Sequence, residues 1–80
     1  METSEIKKLI EEGITNAEAI VTGDGGKYEA TVISPVFEGL SMLKEHQLVY
    51  KTVNAQIASG ELHALTIKAY TPEEWEQNKS

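Results

Sequence analysis

A glycine-rich segment, Gly23–Gly26 with the sequence GDGG, separates two segments that have the character of β-strands. The first covers Ala17 to Thr22, and in the second, Lys27 to Ser34, apolar and polar residues alternate. Alternation of this kind is typical of a strand with one buried face. Glycines readily take the positive φ angles that short hairpin turns require. The sequence therefore predicts a β-hairpin, and the other elements must pack around it.

Two helices are predicted from apolar residues at intervals of three and four. The first runs from Thr3 to Glu12 and stops at Gly13, since glycine is the usual residue just past a helix end. Its buried face is predicted to carry Ile6, Leu9 and Ile10. A longer helix is predicted from about Ser41 to Ser59, ended by Gly60. Its apolar face is predicted to consist of Leu43, His46, Tyr50, Val53 and Ile57.

Two helix starts are marked by capping residues. Ser34 precedes Pro35, which predicts a helical turn after the hairpin. Thr71 precedes Pro72, and Glu74 completes a capping box for a last helix that carries Trp75. Between the long helix and this last one, His63 to Tyr70 has the alternation of a third strand.

These elements define the fold class. The predicted order is α-β-β-α-α-β-α in one α+β domain over residues 1–80, with a three-stranded sheet covered by helices. The helical segment between the hairpin and the third strand is long enough for a parallel, right-handed crossover.

The composition excludes several classes of function. The chain has no cysteine, so it cannot form a disulfide or supply thiolate ligands to a metal. No nucleophile–base pair is apparent, and no two of the 13 carboxylates are set apart as acid and base, so we expect no catalytic activity. The net charge is −6 and every basic residue is a lysine, which argues against sequence-specific nucleic-acid binding. The GDGG segment also matches the GxxG pattern of KH domains, but a hairpin turn is the better interpretation because the segment joins two strands.

No signal peptide or membrane span is expected. The first residues are charged, and no segment has the roughly 20 apolar residues that cross a bilayer. We expect a cytoplasmic protein.

The two histidines are the candidate metal ligands. His46 lies on the predicted apolar helix face, where a histidine is more often a hydrogen-bonded core or rim residue. His63 opens a strand, where one imidazole nitrogen can reach solvent. One histidine cannot hold a metal alone, so a ligand role would need a second protein. From spacing alone, a structural role is favoured for both.

Two segments resemble the BolA family. The first is Phe37–Gly39 with Leu43–Tyr50 (LKEHQLVY), and the second is Leu62–Trp75 (LHALTIKAYTPEEW). Val21–Gly25 and the overall length are similar to the shorter YrbA/IbaG-like branch. The resemblance covers essentially the whole chain.

The resemblance implies a fold similar to class II KH domains and a role as an iron–sulfur adaptor. A BolA-like chain pairs with a monothiol glutaredoxin, and the two share a [2Fe–2S] cluster with glutathione. His63 matches the ligand that the BolA-like chain contributes. The resemblance thus implies a shared metal site at His63, no cofactor in the chain alone, and a partner surface that includes His46, Lys27 and Tyr70.

Lys27 departs from the family pattern. Many members have a histidine or cysteine near this position, as an additional proposed ligand, whereas a protonated lysine is a poor iron ligand. Three alternatives therefore stay open. The chain is a glutaredoxin-binding adaptor, a DNA-binding transcriptional regulator that uses Lys44, Lys51 and Lys68, or a scaffold without metal. Alone, it is expected to be a monomer or a weak homodimer.

Overall fold

The computed structural model describes residues 1–79, and the side chain of residue 79 is left out of the description. Its elements are, in chain order, α1 (Thr3–Gly13), β1 (Glu18–Asp24), β2 (Lys27–Ile33), a 3-10 turn (Pro35–Phe37), α2 (Met42–Thr52), α3 (Asn54–Ser59), β3 (Ala64–Tyr70) and α4 (Pro72–Lys79). The predicted α+β class and the order α-β-β-α-α-β-α are confirmed.

The sheet has the order β1-β2-β3. β1 and β2 pair antiparallel, which confirms the predicted hairpin. The turn is shorter than the predicted Gly23–Gly26 segment, because Gly23 and Asp24 belong to β1; it consists of Gly25 and Gly26, with φ of 60° and 85°. β2 and β3 pair parallel, in a register that places Lys27 beside Ala64 and Ile33 beside Tyr70. The helical crossover between them confirms the predicted parallel connection.

The core lies on one face of the sheet, under α1 and α2. Every second residue of β2 and β3 faces it, which confirms the predicted alternation, and α1 contributes Ile6 and Ile10. The buried cluster consists of Ile6, Ile10, Ile14, Ala19, Tyr28, Ala30, Val32, Phe37, Val49, Val53, Leu62, Leu65 and Ile67. On the other face of the sheet the side chains are largely polar and exposed.

The single long helix predicted from Ser41 to Ser59 is wrong. It is two helices that meet at Val53, where φ is −119° and ψ is 15°. The Thr52 hydroxyl donates to the Val49 carbonyl at 2.6 Å, a local bond that competes with the regular helix pattern. Val53 is fully buried, so packing holds the chain in this bend.

The predicted apolar face of that helix is also wrong in part. Leu43, Tyr50 and Ile57 are exposed, whereas Val49 and Val53, four residues apart, are fully buried. The segment contains two overlapping sets of apolar residues at helical spacing. Packing against the sheet buries the set that contains Val49. Tyr50 instead lies along β3, where its hydroxyl donates to the Leu65 carbonyl at 3.1 Å.

Gly13 does not end α1 in a left-handed conformation as predicted, because it is the last residue of the helix and Ile14 follows in an extended conformation. Its small size serves helix packing instead. A Cβ atom at Gly13 would lie 2.6 Å from Cγ2 of Thr52, so the absence of a side chain lets α1 approach α2 closely. The predicted stop at Gly60 is confirmed, with φ of 85°.

The predicted caps are confirmed. The Ser34 hydroxyl accepts from the Val36 amide at 3.2 Å. Thr71 and Glu74 form the capping box of α4, with reciprocal bonds of 2.8 and 3.2 Å. Trp75 packs against Tyr70, with 5.5 Å between ring centroids. The end of β3 and α4 are thereby held together.

Candidate functional site

His63 lies immediately before β3, beside the turn of the hairpin. Its backbone amide and that of Ala64 both donate to the Gly26 carbonyl, at 2.8 and 3.0 Å. These two bonds lie next to the first pair of the parallel β2–β3 ladder, Lys27 and Ala64, so they hold the backbone of the histidine against the hairpin turn. The His63 side chain is exposed.

The imidazole of His63 packs over Gly26. A Cβ atom at Gly26 would lie 2.6 Å from Cδ2 of the ring, closer than real Cβ atoms approach, and 3.2 Å from Cγ, which is a tight contact. Gly26 also has a φ of 85°, a conformation that side chains disfavour. The glycine at position 26 thus allows the positive φ of the turn and also leaves room for the His63 ring. The sequence indicated only the first role, because the second depends on the register of β3.

A cavity of about 440 Å³ adjoins His63. Its walls come from the start of the chain, the hairpin turn, and the segment before β3. The lining residues are Met1, Glu2, Thr3, Gly23, Asp24, Gly25, Gly26, Tyr28, Glu61 and His63. The Tyr28 hydroxyl donates to the Met1 carbonyl, which ties the start of the chain to this wall.

The histidine and acidic residues that line this cavity are His63, Glu2, Asp24 and Glu61. Within residues 1–79 the His63 ring nitrogens have no hydrogen-bond partner and are therefore available to a ligand. No group of three or more histidine or acidic side chains in the described part of the chain is arranged to hold a metal ion. His63 is thus the one imidazole at this cavity in the described part of the chain.

Lys27 is not in the cavity. It pairs with Ala64 across the sheet, and its exposed side chain belongs to the face opposite that of the buried Tyr28. The structure therefore separates Lys27 from His63, although both adjoin Gly26 in the sheet.

His46 and Tyr70 lie together at a different place. They line a groove of about 270 Å³ between α2 and β3, with Met42, Glu45, Ile67, Lys68 and Ala69. His46 is partly buried there. Two of the three predicted partner-binding residues thus share one surface, which we call the α2–β3 groove, whereas the third, Lys27, does not line it. Met42 was not predicted from the sequence, which gives no signal for an exposed apolar residue at a groove.

The three lysines predicted as DNA contacts do not form one patch. Lys44 and Lys51 flank a shallow depression on α2 with Leu40, Gln47 and Leu48. Lys68 lies in β3 and forms an ion pair of 3.3 Å with Glu29 on the helix-free face of the sheet. A DNA-binding surface would thus rest mainly on two lysines.

A third cavity, between α2 and α4, is lined by four carboxylates, those of Glu38, Glu45, Glu73 and Glu74. Burial raises the pKa of Glu45, and the charge of Glu74 raises it further, while His46 acts in the opposite direction. The folded chain therefore binds a proton at Glu45 more readily than the unfolded chain does.

We expect Glu45→Gln to increase the free energy of unfolding at neutral pH, because it removes the repulsion between Glu45 and Glu74. The gain should be less than about 1 kcal/mol, since the two residues lie near the surface, where solvent screens their charges. In the wild type, the favourable effect of the proton is present below the ordinary glutamate pKa and is lost as the pH rises through the raised value. The gain from the substitution should therefore vanish near pH 4. Urea unfolding at pH 7 and pH 4 measures this. The control is Glu12→Gln, which removes one negative charge at an exposed residue of α1. An equal gain in stability in that variant would contradict the prediction.

Gly26→Ala is expected to displace the His63 ring and to destabilise the fold by about 1–3 kcal/mol. The alanine would have to adopt a left-handed backbone conformation, and its Cβ would clash with the His63 ring. Imidazole resonances in NMR spectra and the midpoint of urea unfolding would show both effects. Gly25→Ala is the matched control, because Gly25 also has a positive φ but no atom lies within 4 Å of its Cβ position. Equal His63 shifts in the two variants would refute the positioning role.

No helix in the described part of the chain is long and apolar enough to span a membrane.

Comparison with known proteins places this architecture in a family. The model of the BolA-like protein family matches residues 5–74. The acid stress protein IbaG of Escherichia coli K12 is 35% identical over 79 residues, which cover 99% of this chain and 94% of that protein. Among solved structures, a bolA protein homologue from Coxiella burnetii is 42% identical, with a TM-score of 0.86 over 95% of this chain and 97% of the other. Yeast Fra2 is 32% identical, with a TM-score of 0.75 over 96% and 86% of the two chains. The predicted family is confirmed: this chain belongs to the BolA family.

Proposed function

We propose that this chain is an iron–sulfur adaptor that pairs with a monothiol glutaredoxin. In the complex, His63 supplies one ligand to a [2Fe–2S] cluster that is otherwise held by the glutaredoxin and glutathione. The observation that carries the proposal is the exposed His63 ring, with both nitrogens available, beside a cavity in a chain without cysteine. Membership of the BolA family supports the choice of partner.

The residues present fit such a shared cluster and do not fit a resident one. His63 can give one neutral imidazole nitrogen, which is a good iron ligand. Thiolates must come from the partner, because this chain has none. A bound cluster would supply redox chemistry, and an imidazole in place of a thiolate makes the cluster environment less negative. Main-chain hydrogen bonds to Gly26 hold the backbone of His63 in place, and its ring packs over Gly26.

The other predicted site residues have different roles in this proposal. Lys27 is no ligand, because it faces away from the cavity and a protonated amine cannot bind iron. His46 and Tyr70 contact the partner through the α2–β3 groove. His63 is thus the single ligand from this chain, and the complex would contact both the His63 cavity and the α2–β3 groove, which lie toward opposite ends of β3.

The proposal is tested by titrating cluster-loaded monothiol glutaredoxin, with glutathione, with this chain. We expect the visible absorption and circular dichroism of the cluster to change and to saturate at a 1:1 ratio, with a complex on a sizing column. An unchanged spectrum together with separate elution of the two proteins would exclude the adaptor function.

DNA binding is the alternative function, and Lys44 and Lys51 on one exposed surface of α2 are the observation in its favour. A chain with a charge of −6 must then bind through a local patch, and its affinity should fall steeply with salt. Fluorescence anisotropy with a labelled duplex at two salt concentrations distinguishes the cases. Binding that weakens with salt and is lost in Lys44→Ala would favour this alternative.

A further inference from the structure

One side of α2 brings apolar and basic residues together at the surface. A depression of about 330 Å³ there is lined by Leu40, Lys44, Gln47, Leu48 and Lys51. Leu43, which is 67% exposed, lies four residues before Gln47 and therefore borders the depression. We call the surface formed by these six residues the lysine face of α2. None of them lines the His63 cavity or the α2–β3 groove, so the face is separate from both surfaces assigned to the glutaredoxin.

The two lysines of this face have no ionic partner in the part of the chain that the structure describes. The lysines that form ion pairs there are Lys7 and Lys68. The ammonium groups of Lys44 and Lys51 are therefore unpaired, and both residues are exposed. Glu45, the one carboxylate of α2, lines cavities on other sides of the helix. The face is thus locally positive in a chain whose net charge is −6, and it offers a negatively charged partner two attractive contacts.

The spacing of the lysines matches that of side chains on another helix. Lys44 and Lys51 are seven residues apart, which is about 10 Å along α2. Glutamates seven residues apart on a partner helix have the same separation, so a helix that lies along α2 can present one carboxylate to each lysine. Leu43 and Leu48 offer apolar contacts to leucines placed between those glutamates.

A helix suits this face better than an extended peptide. The main-chain groups of α2 are hydrogen-bonded within the helix, so a strand laid on it would find no backbone partner. A helical segment satisfies its own main-chain groups and needs only side-chain contacts. Recognition of an amphipathic helix through apolar residues at intervals of three, four and seven is a recurring mode of peptide binding.

Duplex DNA, the alternative occupant of this surface, matches it less well. Two lysines neutralise about two phosphates, which gives only weak binding. Leu43 would also lie against the phosphate backbone, where it has no apolar partner. The combination of exposed leucine and unpaired lysine therefore favours a protein segment that carries both leucine and a carboxylate.

A second copy of this chain is a poorer occupant than a different protein. The exposed side of α1 carries Glu5 and Glu12, which are also seven residues apart. However, Lys8 lies between them and would approach the lysine face as a like charge. The Glu5 carboxylate also accepts from the Glu2 amide at 2.9 Å and thus takes part in the cap of α1.

We propose that the lysine face of α2 binds an amphipathic helix of a protein partner, whose leucines contact the apolar residues of the face and whose glutamates pair with Lys44 and Lys51. This interaction goes beyond the shared cluster and involves no metal. Its failure would leave the role of His63 intact, and failure of the cluster function would leave this binding intact.

The test uses a capped, alanine-based peptide of about 18 residues, long enough to form a helix, with two glutamates seven residues apart and leucines between them on one side. A second peptide has lysines in place of the glutamates. NMR titration of the whole chain, without iron, thiol or glutaredoxin, should show shifts at Lys44, Gln47 and Lys51. The glutamate peptide should bind at least about tenfold more tightly than the lysine peptide. Equal binding of the two peptides, shifts confined to other elements, or no shifts at millimolar peptide would each overturn the proposal.

Charge reversal provides matched variants of the chain. Lys44→Glu combined with Lys51→Glu should abolish binding of the glutamate peptide and produce binding of the lysine peptide, because the charges are exchanged across the interface. Lys8→Glu combined with Lys27→Glu changes the net charge equally at exposed lysines of other surfaces and should leave the preference for glutamate intact. Equal losses in the two double variants would overturn the assignment of the site.

Two exposed apolar neighbours separate this face from the α2–β3 groove. Leu43→Gln should weaken binding of the glutamate peptide at least about threefold, since apolar contact is lost. Met42→Gln, at a residue that lines the α2–β3 groove, should have little effect. The reverse order would place the peptide in the groove and overturn the proposed site.

Two further measurements identify the occupant. If a labelled duplex bound the chain more tightly than the glutamate peptide and lost this binding in Lys44→Glu with Lys51→Glu, DNA would be the occupant. If sedimentation of the chain alone showed a dimer that the same double variant dissociated, the occupant would be a second copy. Either result would overturn the proposed partner, whereas a monomer that binds the duplex more weakly than the peptide supports it.

Discussion

Replacing His63 by alanine is expected to abolish the change that this chain causes in the visible circular dichroism of cluster-loaded glutaredoxin. The ring offers the single imidazole nitrogen at the cavity, and Lys27 on the opposite sheet face cannot replace it. Loss of a residue that merely orients a metal ligand typically costs about 10–100-fold in affinity, so loss of the ligand itself should cost at least that much. The measurement is a titration of cluster-loaded glutaredoxin with wild type and variant.

The control variant is His46→Ala, which removes the other histidine of the chain. His46 lies in the α2–β3 groove and not in the cavity of His63. The variant should therefore need more protein to reach saturation but should reach the same final spectrum. His63→Ala should fail to reach that spectrum at any concentration, even if a complex still elutes on a sizing column. A normal final spectrum with His63→Ala would refute the ligand role without refuting the complex.

The fold stability of His63→Ala is a second control. The side chain is exposed and accepts no hydrogen bond within residues 1–79, so truncation should change the free energy of unfolding by less than about 0.5 kcal/mol. A loss of cluster binding in a stable variant then reports on the ligand and not on the fold.

Local rules predicted much of this fold from the sequence. The hairpin needed only two glycines able to adopt positive φ, and Gly25 and Gly26 do so. The caps at Ser34 and Thr71 are formed with amides two and three residues away, so they depend on little else in the molecule. Features of this kind can be predicted because the residues that determine them are neighbours in the chain.

The predictions that were wrong concern features that depend on contacts between residues distant in sequence. Two stripes of apolar residues compete in the segment after Ser41, and the packing against the sheet decides that Val49 is buried and Leu43 exposed. Gly13 ends α1 as predicted but not in the expected left-handed conformation, and its small size serves the approach of Thr52, which is distant in sequence. Neither outcome could be predicted from spacing, because each depends on a contact between separate elements.

The candidate site was predicted as single residues and not as an arrangement. His63 was predicted to open a strand with its ring reaching solvent, and it lies exposed immediately before β3, but the place of Gly26 beneath its ring depends on the register of β2 and β3. The same register separates Lys27 from His63. The groove that joins His46 and Tyr70 depends on how α2 lies along β3, which the sequence pattern of neither element specifies.

Phe37→Ala is expected to have the largest effect on stability of any substitution discussed, about 3–5 kcal/mol. Phe37 is among the largest fully buried side chains and has an exposed fraction of 1%. It ends the 3-10 turn that follows Ser34, so it connects the hairpin to α2 through the core. Domains of this size have a total stability of about 4–12 kcal/mol, so the variant should be partly or fully unfolded at 37 °C. Thermal and urea unfolding followed by circular dichroism measure the loss.

The neighbouring Val36 supplies the matched control, because it belongs to the same turn but has an exposed fraction of 39%. Val36→Ala should cost less than about 1 kcal/mol, since little apolar surface is lost from the core. Phe37→Leu should fall between the two, because leucine refills part of the cavity. This order would show that the turn acts through the buried ring. If Val36→Ala and Phe37→Ala were equally destabilising, the backbone of the turn, and not the packing of Phe37, would determine how the hairpin is joined to α2.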